Sequence, residues 1–156
     1  MDTLPGILWH NVHMAMATAK TLNDYFVDWL GAKAGSEQEV VRLVERGLPI
    51  RVLNRLLRRG LSRNEIASVI IPPRTLKHRR SRHEPLSREE SERAVRTARI
   101  LARAQLVMGD EAAALAWLRA PRRRFQGRTP MEMLATESGG RLVEQMLIQI
   151  DQGMFA

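Results

Sequence analysis

Ser62-Arg63-Asn64-Glu65-Ile66-Ala67-Ser68-Val69-Ile70-Ile71-Pro72-Pro73-Arg74-Thr75-Leu76-Lys77-His78-Arg79-Arg80 is the stretch that decides the fold, because its chemistry calls for two short helices joined by a tight turn. Ser62 and Glu65 have the spacing of a capping box, in which the hydroxyl accepts an amide of the first turn and the carboxylate accepts the Ser62 amide. Ile66, Val69 and Ile70 then fall on one stripe, and Ala67 is small enough to let a neighbouring helix come close. Pro72 and Pro73 cannot continue that helix, yet a proline suits the first position of the next one. The second helix has one apolar anchor, Leu76, under a coat of Arg74, Thr75, Lys77, His78, Arg79, Arg80 and Arg82. A rod of this kind suits a DNA major groove lined by phosphate, with Ser62, Arg63 and Asn64 at the adjoining helix start. The plainer alternative is a solvated basic helix in an ordinary bundle, and the turn lacks the glycine common in helix-turn-helix units.

Upstream, Pro49 opens a helix with Ile50, Leu53, Leu56 and Leu57 inward and Arg51, Arg55, Arg58 and Arg59 outward, closed by Gly60. It supplies the third helix that a helix-turn-helix needs to bury its apolar side. Before it, Ser36 and Glu39 read as a capping box for a helix carrying Val40, Val41, Leu43 and Val44 and ending at Gly47. Leu22, Tyr25, Phe26, Trp29 and Leu30 recur at helical spacing, a stripe that reads as core or as a dimer face. Residues 1–21 are less readable. Trp9, Met14 and Met16 are available for packing, and His10 and His13 lack a third metal ligand nearby.

Downstream, residues 81–85 read as a loop. Ser87 and Glu90 open a long helix to about Met108, with Ala94, Val95, Ala98, Leu101, Ala102 and Leu106 expected on its buried side. Asp110 caps a helix holding Leu115, Trp117 and Leu118, and the arginine-rich residues 122–128 read as a loop. Thr129-Pro130-Met131-Glu132 supplies a cap, a first-position proline and a capping-box acid in order. The last helix follows residues 135–138, with Leu142, Val143, Met146, Leu147 and Ile150 on one side. No alternating strand pattern occurs, so the expectation is an all-α chain of about eight or nine helices.

The chain of 156 residues carries a net charge of +8, and its distribution is more informative than its size. Residues 1–41 hold 2 Lys against 5 acids, residues 42–104 hold 17 Lys or Arg against 6, and residues 105–156 hold 6 against 6. A cationic centre between acidic and neutral flanks points to a localised polyanion partner. With no cysteine there is no thiolate chemistry, which fits a reducing cytoplasm. No apolar run is long enough to span a membrane, and no signal peptide is expected. Glycine-rich phosphate loops, serine elbows and paired histidine–carboxylate motifs are absent, so nothing supports an enzyme or a cofactor.

From Gly47 onward the order of features resembles the Xre/MbcA/ParS antitoxins, small proteins encoded beside RES-domain toxins. The resemblance rests on Arg74-Thr75-Leu76-Lys77-His78-Arg79-Arg80, on Leu86-Ser87-Arg88-Glu89-Glu90-Ser91-Glu92-Arg93, on the Gly109-Asp110 break and on Ala116-Trp117-Leu118-Arg119-Ala120-Pro121. Gly127-Arg128-Thr129-Pro130, Leu134-Ala135-Thr136-Glu137-Ser138-Gly139 and Ile150-Asp151-Gln152-Gly153 complete it, over about two thirds of the chain. It implies an Xre/Cro-like helix-turn-helix bundle followed by a small helical toxin-binding domain. The divisions it suggests are 1–35 as an N-terminal extension, 36–108 as the DNA-binding region and 109–156 as the toxin-binding domain.

The implied partners are double-stranded operator DNA and a RES-domain toxin that depletes NAD⁺, with the chain acting as a homodimer and as part of a toxin–antitoxin hetero-oligomer. Trp117, Arg119, Arg122, Arg123, Arg124, Phe125 and Arg128, with Gln152, Met154 and Phe155 of the tail, are the residues expected to meet the toxin. For Trp117 a place in the core is the favoured reading. A stand-alone transcriptional regulator and a basic RNA-binding protein remain as rivals.

Overall fold

The computed structural model describes residues 19–154. The expectations for Trp9, His10, His13, Met14, Met16 and Phe155 therefore lie outside the described residues. Within them the chain is all-helical: α1 Leu22–Leu30, α2 Glu37–Arg46, α3 Arg51–Arg58, α4 Arg63–Val69, α5 Pro73–Arg82, α6 Arg88–Met108, α7 Glu111–Arg119, α8 Pro130–Met133 and α9 Glu137–Asp151, with a 3₁₀ turn at Arg123–Phe125.

The long α6 is the spine, packing against α1, α2, α7 and α9. Its buried face is built from Ala94, Ala98, Ala102 and Ala104 between Val95, Ile100 and Leu101, and the small side chains let α1 come close. Against that face α1 lays Phe26, Trp29 and Leu30, so its aromatic stripe is core. The Trp29 indole is fully buried, and its Nε1 donates to the Gln105 side-chain oxygen at 2.9 Å, which satisfies the one polar atom the ring brings inside. The Arg59 guanidinium lies 4.4 Å from the ring centroid and pairs with Glu111, so Arg59 faces inward and not to the outer stripe. Residues on both sides of 35/36 and of 108/109 contribute to one apolar cluster, which runs from Phe26 through Ile66 and Leu118 to Leu147.

Capping explains most boundaries. Ser62–Glu65, Ser87–Glu90 and Thr129–Glu132 form the full reciprocal boxes expected of them. At α2 only half of the box forms: Ser36 Oγ accepts the Glu39 amide, but the Glu39 carboxylate accepts from Gly35 at 2.6 Å. Three ends differ from expectation. α3 starts at Arg51, two residues past Pro49; α5 runs on to Arg82, ending where His83 turns left-handed at φ 58°; and α9 begins at Glu137, capped by Thr136. Leu106 and Leu142, expected inside, are 39% and 46% exposed, because each stands at the edge of an apolar stripe wider than the face its helix buries.

Two segments cross closely where the α2–α3 and α5–α6 connections meet. Leu86 donates its amide to the Leu48 carbonyl and Leu48 donates to Ser91 Oγ, both at 2.9 Å. A β-carbon on Gly47 would sit 2.4 Å from the Leu86 carbonyl oxygen, and its φ of +81° is glycine territory as well.

Candidate functional site

Helices α4 and α5 stand at the expected turn, with Ile66, Val69, Ile70 and Ile71 buried beneath it. α5 buries no side chain fully, and Leu76 is only half-buried against the core. The helix therefore presents three sides, the first two sharing Lys77 at their border. Arg74, Thr75, Lys77, His78 and Ser81 surround a shallow outward depression. Pro73, Leu76, Lys77 and Arg80 look toward α3 and α4. The third side carries Arg79.

Arg79 is engaged within the protein. Its Nε and Nη2 donate to the two Glu90 oxygens at 2.6 and 3.1 Å, and Nη1 reaches Glu84 at 3.4 Å. Glu90 also accepts the Ser87 amide, so one carboxylate caps α6 and holds α5. Burial resists its ionisation, but Arg79 and the Ser87 amide overcome that cost and hold the carboxyl below the usual carboxylate range. Arg79, expected among the DNA contacts, is thus occupied by Glu90 and Glu84 and ties α5 to the start of α6. Arg80 is exposed and donates to Asn54 Oδ1 at 3.3 Å, and Arg82 is exposed 3.9 Å from Glu84. Arg63 and Asn64 are exposed at the start of α4, whereas Ser62 is occupied as its cap. Arg51 shares a surface depression with Arg80, His83 and Glu84, placing one more arginine beside the stretch that first suggested a cationic zone.

The residues expected to meet a partner protein divide. Arg119 turns toward the helix-turn-helix, with Nε and Nη2 on Glu65 at 2.7 and 2.9 Å and Nη2 also on the Gly60 carbonyl at 2.7 Å. Phe125 is 4% exposed and anchors its loop in the core, so its ring is not available to a partner. Trp117 is half-buried, with the Arg122 guanidinium 4.8 Å from its ring centroid and Arg122 Nη2 donating to its carbonyl at 3.1 Å. Residues 122–128 close on themselves, since Arg122 donates to the Arg128 carbonyl and Gly127 to the Arg122 carbonyl. Arg123, Arg124 and Arg128 project outward from this compact loop. Arg124 Nη1 donates to Gln149 Oε1 at 2.7 Å, and the Met154 amide donates to the Gln149 carbonyl, so the loop and the tail residues Gln152 and Met154 adjoin. Met154 is 65% exposed.

Glu65 was read from sequence only as a capping acid. Burial raises its carboxyl, but Arg119 and the Ser62 amide outweigh burial and hold it below the usual range. No local signal announces its second partner, which lies 54 residues away.

A basic helix-turn-helix joined through one spine to a second helical unit with an arginine-rich loop defines the class of helix-turn-helix proteins that carry an additional C-terminal domain. Residues 39–99 match the Antitoxin Xre-like helix-turn-helix domain, and residues 103–153 match the Antitoxin Xre/MbcA/ParS C-terminal toxin-binding domain. The chain is 42% identical over 118 residues to an Antitoxin Xre of Pseudomonas putida, covering 76% of this chain and 74% of the relative. It is 28% identical over 130 residues to an Antitoxin Xre of Yersinia enterocolitica, covering 81% and 88%. The chain belongs to the Xre/MbcA/ParS antitoxin family, with a helix-turn-helix and a toxin-binding domain. Among the described residues no helix is long and apolar enough to cross a membrane.

Proposed function

We propose that this antitoxin silences a RES-domain toxin, one that consumes NAD⁺, by direct contact, and that it represses its own operon by laying α5 in the major groove. The observation that carries the DNA half is the outward side of α5, where Arg74, Lys77 and His78 stand together while Arg79 is tied back to Glu90. Hydrogen-bond donors on an unburied helix face, steadied from behind, suit both phosphate and base edges. The toxin half is supported by the adjoining loop and tail, where Arg123, Arg128 and Met154 offer cations beside an exposed apolar side chain. A homodimer would set two copies of α5 about 34–36 Å apart, one turn of the duplex.

Co-expression with the toxin gene adjoining its own tests the first half. Cells should survive with the wild type and die with Arg123→Glu/Arg128→Glu/Met154→Asp, a triple change confined to exposed positions; survival with the triple variant overturns the assignment of this surface. Removal of residues beyond 119 is a poorer test, because Phe125, Met131, Leu134, Val143 and Leu147 belong to the common core.

A further inference from the structure

The side of α5 that faces α3 and α4 does not close. A cleft of about 410 Å³ remains there, within the size range of small-molecule sites. Its walls are Leu57 of α3, Ala67 of α4 and Leu76 of α5, all partly exposed, over a floor of the buried Leu53, Ile66 and Ile71. Arg63, Lys77 and Arg80 stand at its lining with Asn54, all four exposed, and no carboxylate lines it. Nucleic-acid contact accounts for cations on this helix but not for an apolar hollow under it.

We propose that this cleft binds a small amphipathic anion, an aliphatic carboxylate whose chain lies along the partly exposed Leu57, Ala67 and Leu76 and whose head meets Arg63, Lys77 and Arg80. The chain is favoured because its burial removes apolar surface from water on both partners. The head is favoured because three guanidinium or ammonium groups gather there without a compensating acid. Occupation opposes DNA binding, since Lys77 and Arg80 cannot serve the ligand and a phosphate together; this second effect rests on the DNA reading above, whereas the binding site does not.

Isothermal calorimetry with octanoate, 1-octanol and acetate separates chain from head. One saturable octanoate site per chain is expected, with 1-octanol about tenfold weaker, the loss of roughly one charge-assisted hydrogen bond, and acetate without measurable heat. Ala67→Trp fills the hollow and should abolish octanoate binding with the helical spectrum retained. Should that variant fail to fold, Arg63→Gln/Lys77→Gln, at two exposed positions, should weaken octanoate about tenfold and leave 1-octanol unchanged. No saturable octanoate binding by the wild type, or binding indifferent to these substitutions, overturns the site. Promoter-DNA anisotropy then reads the coupling: octanoate should raise the wild-type Kd, and an unchanged Kd despite calorimetric binding overturns the antagonism. A protein that binds octanoate but no promoter DNA at any ligand concentration fails the proposed function alone.

Discussion

Glu65 does two jobs with one carboxylate. It completes the cap of α4 through the Ser62 amide at 2.7 Å and takes the fork of Arg119 from α7. Its side chain is 16% exposed, but that of Arg119 is 42% exposed, so solvent discounts the pair. Glu65→Gln should cost about 1–2 kcal/mol, cap and pair together, seen as a lower midpoint in thermal unfolding. Arg119→Lys should lose part of that, because an ammonium cannot span both oxygens and the Gly60 carbonyl. Arg79 and Arg74 make the complementary comparison. Arg79→Ala strands the nearly buried Glu90, 9% exposed, and should cost about 2–3 kcal/mol of stability. Arg74→Ala should leave the melt unchanged and weaken promoter binding by about 1–3 kcal/mol if it reads a base. Thermal melts and fluorescence anisotropy on both variants check the contrast. The capping role of Glu65 was legible because it is spelled within four residues. The partner of Arg79 was not, since a basic coat looks the same whether one of its members points outward or back.

At the scale of elements, the nine described helices were largely legible in number and order, because caps, prolines and glycines punctuate them. Their ends were less so. Ser81 and Arg82 carry no helical pattern of their own, yet α5 continues through them until His83 turns left-handed. Leu106 and Leu142 misled the inward face because aliphatic side chains at a stripe's edge look the same in sequence as those at its centre. Gly139 shows a constraint that sequence hides. It is helical, but a β-carbon there would meet the Met133 carbonyl oxygen at 2.0 Å, so α9 leaves α8 at a separation only hydrogen permits. Gly139→Ala should therefore destabilise the protein by about 1–3 kcal/mol, in spite of the helix propensity it gains, and a denaturant titration decides the sign.

For the molecule as a whole, Glu65 and Glu90 contribute to the acid limit, together with Asp24, Asp28 and Glu132, whose carboxyls are also held below their ordinary range. The Glu65 and Glu90 carboxyls lie below the unfolded-chain value of 4.5, so the stability they contribute is complete above that value and is lost as pH falls through their folded values. Unfolding midpoints should fall below about pH 4.5, and Glu65→Gln should flatten that decline; an equal decline in both proteins would refute the linkage. The cationic middle that announced a polyanion partner was legible from charge alone. The common core was not, because Trp29–Gln105 joins positions 76 apart and no local pattern records it.

One uninterrupted rod, α6, passes between the two family matches, which stop at 99 and resume at 103. α6 is continuous across that junction, so the two matched halves stand at a set bearing to each other. Lengthening the rod by one alanine would swing the far end about 100° around the axis, pulling Arg119 off Glu65 and re-aiming the C-terminal half relative to the helix-turn-helix. Four added residues would bring it back to within about 40°.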